Sequence, residues 1–170
     1  YELRGHARRL EGELDEEVAD YDRALALDRR AHMAYYGRAI ARDMLGEVSL
    51  ALSDFQDCVR LAPDFVPAYY DRGVAYATEG RYQEAIAYYT KALELDPTFA
   101  HCYVARGEAL SESGHARRAL SDFDRALELD PENADAYYYR SLAWRERGDD
   151  RASRRDLQSA RNLGFDESDA

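Results

Sequence analysis

The chain has very little lysine: of its 23 basic residues only Lys91 is not arginine, a bias that predicts a GC-rich, bacterial genome. Its two cysteines, Cys58 and Cys102, are too few for a disulfide framework and fit a reducing compartment. The expected location is therefore the cytoplasm, with the periplasm left open. No apolar run approaches the ~20 residues that a membrane helix needs, and no signal peptide is visible. Basic charge is also in deficit. Against 34 acidic residues the 23 basic ones leave a formal net charge of −11, and the pI is near 4.8. Phosphate backbones and anionic membrane surfaces would be repelled, so neither is an expected partner. What remains is enough for a core, because folded chains of 170 residues bury roughly 70% of their extended surface.

The chain is periodic. Pro63, Pro97 and Pro131 lie 34 residues apart, as do Gly12, Gly46, Gly80, Gly114 and Gly148. Units 1–31, 32–65, 66–99, 100–133 and 134–167 align without insertion, leaving 168–170 as a tail. One column is all tyrosine (Tyr1, Tyr35, Tyr69, Tyr103, Tyr137), and three residues later stands Arg4, Arg38, Arg72, Arg106 or Arg140. A small residue follows each arginine, and Ala7, Ala41, Ala75, Ala109 and Ala143 form a further column. Later in each unit come Tyr21, Phe55, Tyr89, Phe123 and Leu157, then a small residue three positions on. A period of this length marks a stacked array, because one unit cannot bury its own apolar face.

Spacing within a unit predicts two helices. Tyr69, Arg72, Gly73 and Tyr76 follow i, i+3, i+4, i+7, and Ala85, Tyr89 and Ala92 follow i, i+4, i+7. Gly80, between the two runs, is expected to end the first helix in the left-handed conformation. Asp96–Pro97 and Asp130–Pro131 should stop the second helix and start the next, with Asp as N-cap and Pro in the first turn. The expected fold is all-α, built of antiparallel helix pairs of roughly 13 residues a helix.

The residues Tyr69, Arg72, Gly73, Tyr76, Ala85, Tyr89, Ala92 and Pro97 resemble the tetratricopeptide repeat, with Tyr for its usual Trp and Arg for its usual Leu. The resemblance covers essentially the whole chain. It implies a single array over 1–167, a right-handed superhelical solenoid whose first helices line a concave groove. It also implies a scaffold that binds peptides or proteins. The first unit enters the pattern at Tyr1 about three residues late and without an initiator Met, which predicts a longer parent chain. Glu17 there replaces the Ala51, Ala85, Ala119 or Ser153 of other units, and Arg8 stands where the third has Tyr76, so a local Arg8–Glu17 pair is one expectation. In the last unit Arg154 and Arg161 replace aliphatic residues, as a terminal polar face requires.

Catalytic signatures are lacking. His6, His32, His101 and His115 occupy four different columns, with no HxxxH or HExxH spacing and no phosphate-binding glycine loop. His32 and His115 fall at helix starts, where exposure is expected; His6 and His101 fall on groove columns. Cys58 and Cys102 take alanine columns and read as core thiols. No enzymatic activity, cofactor or metal is expected. The arginine column has two readings: a ladder for an acidic ligand, or repeated ion pairs with Asp20, Asp54, Asp122 and Asp156 on the second helices. The recurrence of the aspartates favours the ion pairs, and the third unit, with Tyr88 at that column, is the exception.

If the family geometry holds, the groove takes Met33, Tyr36, Ile40 and Met44 from the second unit and Tyr70, Asp71 and Val74 from the third. The fourth adds His101, Val104, Glu108 and Glu112, and the fifth Tyr138 and Leu142. Packing between neighbouring first helices is an equal reading for Ile40, Val74 and Leu142. The basic clamp of the family's chaperone-binding members is missing, since Tyr36, Ile40, Asp71, His101 and Ala105 stand at its positions. The asparagine ladder of its sugar transferases is replaced by Leu3, Gly37, Asp71, Ala105 and Tyr139. Asp43, Asp71, Glu108, Glu112, Asp135 and Glu146 face Arg145 alone, which predicts a partner segment with Arg or Lys among apolar residues, anchored near Tyr36, Tyr70 and Tyr138. Asp71 and Glu108 occupy no packing column on this reading. Self-assembly, with the chain as its own partner, and docking for an enzyme domain elsewhere in the parent chain are the alternatives.

Overall fold

In a computed structural model, residues 2–165 are described, with side chains from residue 12 onward. The described residues form helices and turns only. The helices are α1 Glu2–Leu27, α2 His32–Met44, α3 Val48–Leu61, α4 Val66–Thr78, α5 Tyr82–Leu95, α6 Ala100–Glu112, α7 Ala116–Leu129, α8 Ala134–Glu146 and α9 Asp150–Asn162. The chain divides into two compact units, Tyr1–Ala75 and Tyr76–Ala170. In the first, α2 packs on α3 and on α1; in the second, α6 packs on α7 and α5, and α8 on α9, α7 and α6.

The turns follow from glycine. Gly46, Gly80, Gly114 and Gly148 all have positive φ, between 70° and 79°. Each lets the next amide reach back five residues. Glu47 N–H donates to the Arg42 carbonyl at 2.8 Å and His115 N–H to that of Leu110 at 2.7 Å, closing the helix end. Gly12 differs. α1 runs through it without a break, so the first unit is one long helix where the period predicts a hairpin. The Arg8–Glu17 reading, like those for Tyr1, Arg4, His6 and the 168–170 tail, falls outside the described side chains.

A second difference lies at the Asp–Pro pairs. Asp96 and Asp130 cap the ends of α5 and α7 but do not begin the following helices, which start at Ala100 and Ala134. The reason is local: Asp96 Oδ1 accepts from Thr98 N–H at 2.9 Å and from Thr98 Oγ1 at 2.7 Å, folding Pro97 into a turn of its own. Asn133, two residues beyond Pro131, takes the N-cap role of α8 and accepts from Ala136 N–H at 2.8 Å.

The core is built on the small columns. Ala75, Ala85, Ala92, Ala119, Ala126 and Ala160 are fully buried, and Cys58 and Cys102 sit among them as buried free thiols. Burial pushes Cys58 up to about 11 and Cys102 up to about 12, so neither is a nucleophile at neutral pH. Phe123 lies against Gly107 so closely that a Cβ there would come within 2.6 Å of its ring. The small residue on the first helix is therefore the notch for the aromatic of the second.

Candidate binding surfaces

The arginine column is structural. Arg38 Nε and Nη2 donate to the two carboxylate oxygens of Asp54 at 2.8 and 2.6 Å. Arg106 does the same to Asp122 at 2.7 and 2.7 Å, and Arg140 to Asp156 at 2.7 and 2.9 Å. All three aspartates are buried. This is the planar two-point geometry that arginine, and not lysine, provides. It fits the single lysine of the chain, at a position outside these columns. The hydrogen bonds it donates to Asp122 hold the Arg106 guanidinium above its already high ordinary value.

The column has a second set of contacts that the repeat pattern alone did not reveal. Four of its arginines also reach 16 residues back: Arg38 Nη1 to Asp22, Arg72 Nη1 to Gln56, Arg106 Nη1 to Thr90 Oγ1 at 3.1 Å, and Arg140 Nη1 to Asp124 at 2.7 Å. The recurring signal was there in Asp22, Gln56, Thr90 and Asp124, all polar at one column. The tyrosine three residues before also packs on the guanidinium in three repeats, at 5.4–5.6 Å for Tyr35, Tyr103 and Tyr137. Among the described residues, Arg38, Arg106 and Arg140 thus direct their donors to two helices of the fold, where a ligand ladder would need them turned outward.

In the first compact unit the expected groove residues divide. Met33 and Met44 are exposed, at 52% and 68%, while Tyr36, Ile40, Tyr70, Asp71 and Val74 are half-buried. Tyr36 is held in place: its hydroxyl donates to Asp71 Oδ2 at 2.6 Å, and its ring meets Phe65 edge-on at 5.0 Å and Phe55 at 6.1 Å. Asp71 thus has a packing role, contrary to the expectation of a free groove carboxylate. Burial raises its carboxyl above the ordinary range; the Tyr36 hydrogen bond opposes this and the charge of Asp43 adds to it. Asp43 is itself raised by burial.

In the second unit His101, Glu108 and Glu112 are exposed and Leu142 half-buried, but Val104 is buried at 8%. Val104 belongs to the core of the α6 packing and not to a ligand surface. Tyr138 stacks on Phe165 at 4.2 Å, so the segment after α9 covers the side chain expected to anchor a partner. The open surface lies beside it. Glu108, Ser111 and Glu112 of α6 and Tyr139, Leu142, Arg145 and Glu146 of α8 line a cavity of ≈ 220 Å³. Three carboxylates there face one guanidinium. Loss of solvent pushes Glu108 up, and the charges of Glu112 and Asp135 push it further. Burial, then the charges of Glu108 and Asp135, pushes Tyr139 up to about 12. Tyr139 shares its column with Asp71, so that column carries polar chemistry in both units; its amphipathic ring was the missed residue.

Among the described residues no group of three or more metal-ligating side chains is assembled, and no helix is long and apolar enough to cross a membrane. No curated protein matches the chain in sequence. Solved structures do match. YrrB, a tetratricopeptide repeat protein with an unusual peptide-binding site, is 26% identical with a TM-score of 0.80, over 92% of this chain and 81% of that one. MamA is 20% identical with a TM-score of 0.85 over 98% and 97%. A MamA fragment from Desulfovibrio magneticus RS-1 is 19% identical with a TM-score of 0.84 over 92% and 88%. At those identities the two MamA structures share the solenoid fold with this chain, and only that. Tetratricopeptide repeat models match residues 66–99 and 104–166, together more than half of the sequence. With its 34-residue columns, glycine-turned helices and these matches, the chain belongs to the tetratricopeptide repeat family.

Proposed function

We propose that this chain is a non-enzymatic scaffold whose α6–α8 surface holds a partner segment carrying Arg or Lys beside apolar side chains. The observation that carries the reading is the cavity bordered by Glu108, Glu112 and Glu146, with Tyr139 and Leu142 supplying apolar area. Glu108, raised by lost solvent and by the charges of Glu112 and Asp135, gains from an incoming cation, which offsets the repulsion. A recessed wall also focuses the field of its charges and speeds the approach of a cationic segment. YrrB, with its peptide-binding site, supports peptide recognition on this fold. In the first unit the exposed Met33 and Met44 offer adaptable apolar contacts to a partner.

The test reverses the charge where packing is not disturbed. Glu108 and Glu112 are exposed, so Glu108→Lys with Glu112→Lys leaves the fold intact, as circular dichroism will report. A basic, leucine-containing peptide should then associate about tenfold more slowly at low salt, and its rate should lose most of its salt dependence. An unchanged rate and an unchanged salt slope would overturn the assignment.

A further inference from the structure

The α6–α8 cavity has a size and a lining that separate one cation from another. Its carboxylates stand on two helices: Glu108 and Glu112 one turn apart on α6, and Glu146 at the end of α8. The Tyr139 ring and Leu142 line the same space. That ring is a fixed wall, because it stacks on the buried Phe123 at 6.3 Å and meets Tyr138 at 5.4 Å and 70°. Ser111 Oγ, in the lining too, is shielded from solvent and has no hydrogen-bond partner among the described residues. Rotation about its Cα–Cβ bond can turn this hydroxyl toward a guest. The volume, ≈ 220 Å³, is several times the roughly 30 Å³ that one water occupies in the liquid. A compact ammonium leaves most of that space to water, whereas a guanidinium on its stem fills more of it.

The same compact unit shows what such groups do with arginine. Arg106 lies over the Tyr103 ring at 5.6 Å while its fork holds both oxygens of Asp122. Arg140 does the same with Tyr137 at 5.4 Å and Asp156. Those guanidiniums belong to the fold; the cavity presents the same two ingredients, a tyrosine ring and carboxylates, to an outside ligand. Resting on the basic-segment reading above, we propose that the cavity seats one arginine side chain of the partner, and takes arginine in preference to lysine. The guanidinium lies on Tyr139, its N–H groups divide between the α6 and α8 carboxylates, and Ser111 Oγ accepts one more. The methylene stem packs on Leu142. Arginine is also the more weakly hydrated cation, so it loses less on leaving water, while lysine brings a strongly hydrated point charge and no fork.

Calorimetric titration of the 170-residue chain tests it, with end-blocked peptides of one apolar sequence that differ at a single position. That position carries arginine, lysine, citrulline or dimethylated arginine. Arginine should bind at least about tenfold more tightly than lysine. Dimethylation keeps the charge and blocks the paired hydrogen bonds, and should weaken binding by a similar factor. Citrulline, which keeps the shape and lacks the charge, should bind most weakly. Tyr139→Leu should bring arginine and lysine to within about twofold of each other, whereas Tyr139→Phe, which keeps the ring, should preserve the gap. Circular dichroism reports whether both variants fold, and the comparison of peptides on the parent chain needs neither. Equal affinities for arginine and lysine, or for arginine and its dimethylated form, overturn the inference and leave a basic partner in place. If arginine binds no more tightly than citrulline, or not at all, the basic-segment reading falls and the inference with it.

Discussion

Lysine cannot replace the arginine that recurs three residues after each repeat tyrosine, and the reason is geometric. A guanidinium spans both oxygens of Asp54, Asp122 or Asp156 and still has Nη1 for the preceding second helix, whereas an ammonium is a point charge. Arg106→Lys should therefore destabilise the fold by about 1–3 kcal/mol, and Asp122→Ala by about 3 kcal/mol through the uncompensated guanidinium, both read by urea unfolding. Steric cost is position-dependent too. Gly107→Ala drives a Cβ into the fully buried Phe123 ring and should cost about 1–3 kcal/mol. Gly37→Ala meets the end of the half-exposed Tyr21 ring, which can swing aside, so its loss should be smaller. For Asp71 the sign is set by its raised carboxyl: the folded chain holds that proton more tightly than the unfolded one. Its ionisation therefore opposes folding, and the penalty fades as pH falls from the raised value through the ordinary carboxylate range. Asp71→Asn should unfold at higher urea than the parent at pH 7, with the gap closing on acidification.

At the level of helices and turns, most of the architecture was legible because glycine and alanine columns have single physical uses. Gly46, Gly80, Gly114 and Gly148 were readable as left-handed helix ends, and Cys58 in an alanine column as a core thiol. Gly114→Ala, forced to positive φ, should lose about 1–2 kcal/mol. Gly12 was not readable, because the same residue in the same column does something else. Continuing a helix through glycine costs only about 1 kcal/mol, and a hairpin forms only if folding back buries enough to compensate. In the first repeat Glu17 stands where Ala51, Ala85 and Ala119 are fully buried in other repeats, so the return on closing is reduced. The Asp–Pro turns were misread for a related reason: Asp is as good at holding a turn as at capping a helix, and Thr98 decides between them. The site was less legible than the fold. Column position alone could not say that Asp71 serves Tyr36, that Phe165 covers Tyr138, or that Val104 turns inward.

On the scale of the whole molecule, the excess of 11 negative charges is not spread evenly over functions. Some carboxylates, such as Asp54 and Asp156, are neutralised within the fold, while Glu108, Glu112 and Glu146 remain around an open cavity. On the proposed reading, that distribution selects a partner by charge sign first and by apolar anchoring second. Acidification should weaken a cationic ligand as Glu108 protonates, and because its carboxyl is raised the loss should begin above the ordinary glutamate range. The measurement that tests this selection most directly is calorimetric titration of the chain with two peptides of identical apolar sequence, one interspersed with arginine and the other with glutamate. The arginine peptide should bind at least about tenfold more tightly at low salt, and lose that advantage to Glu108→Lys with Glu112→Lys. Equal affinities, or tighter binding of the glutamate peptide, would contradict the account.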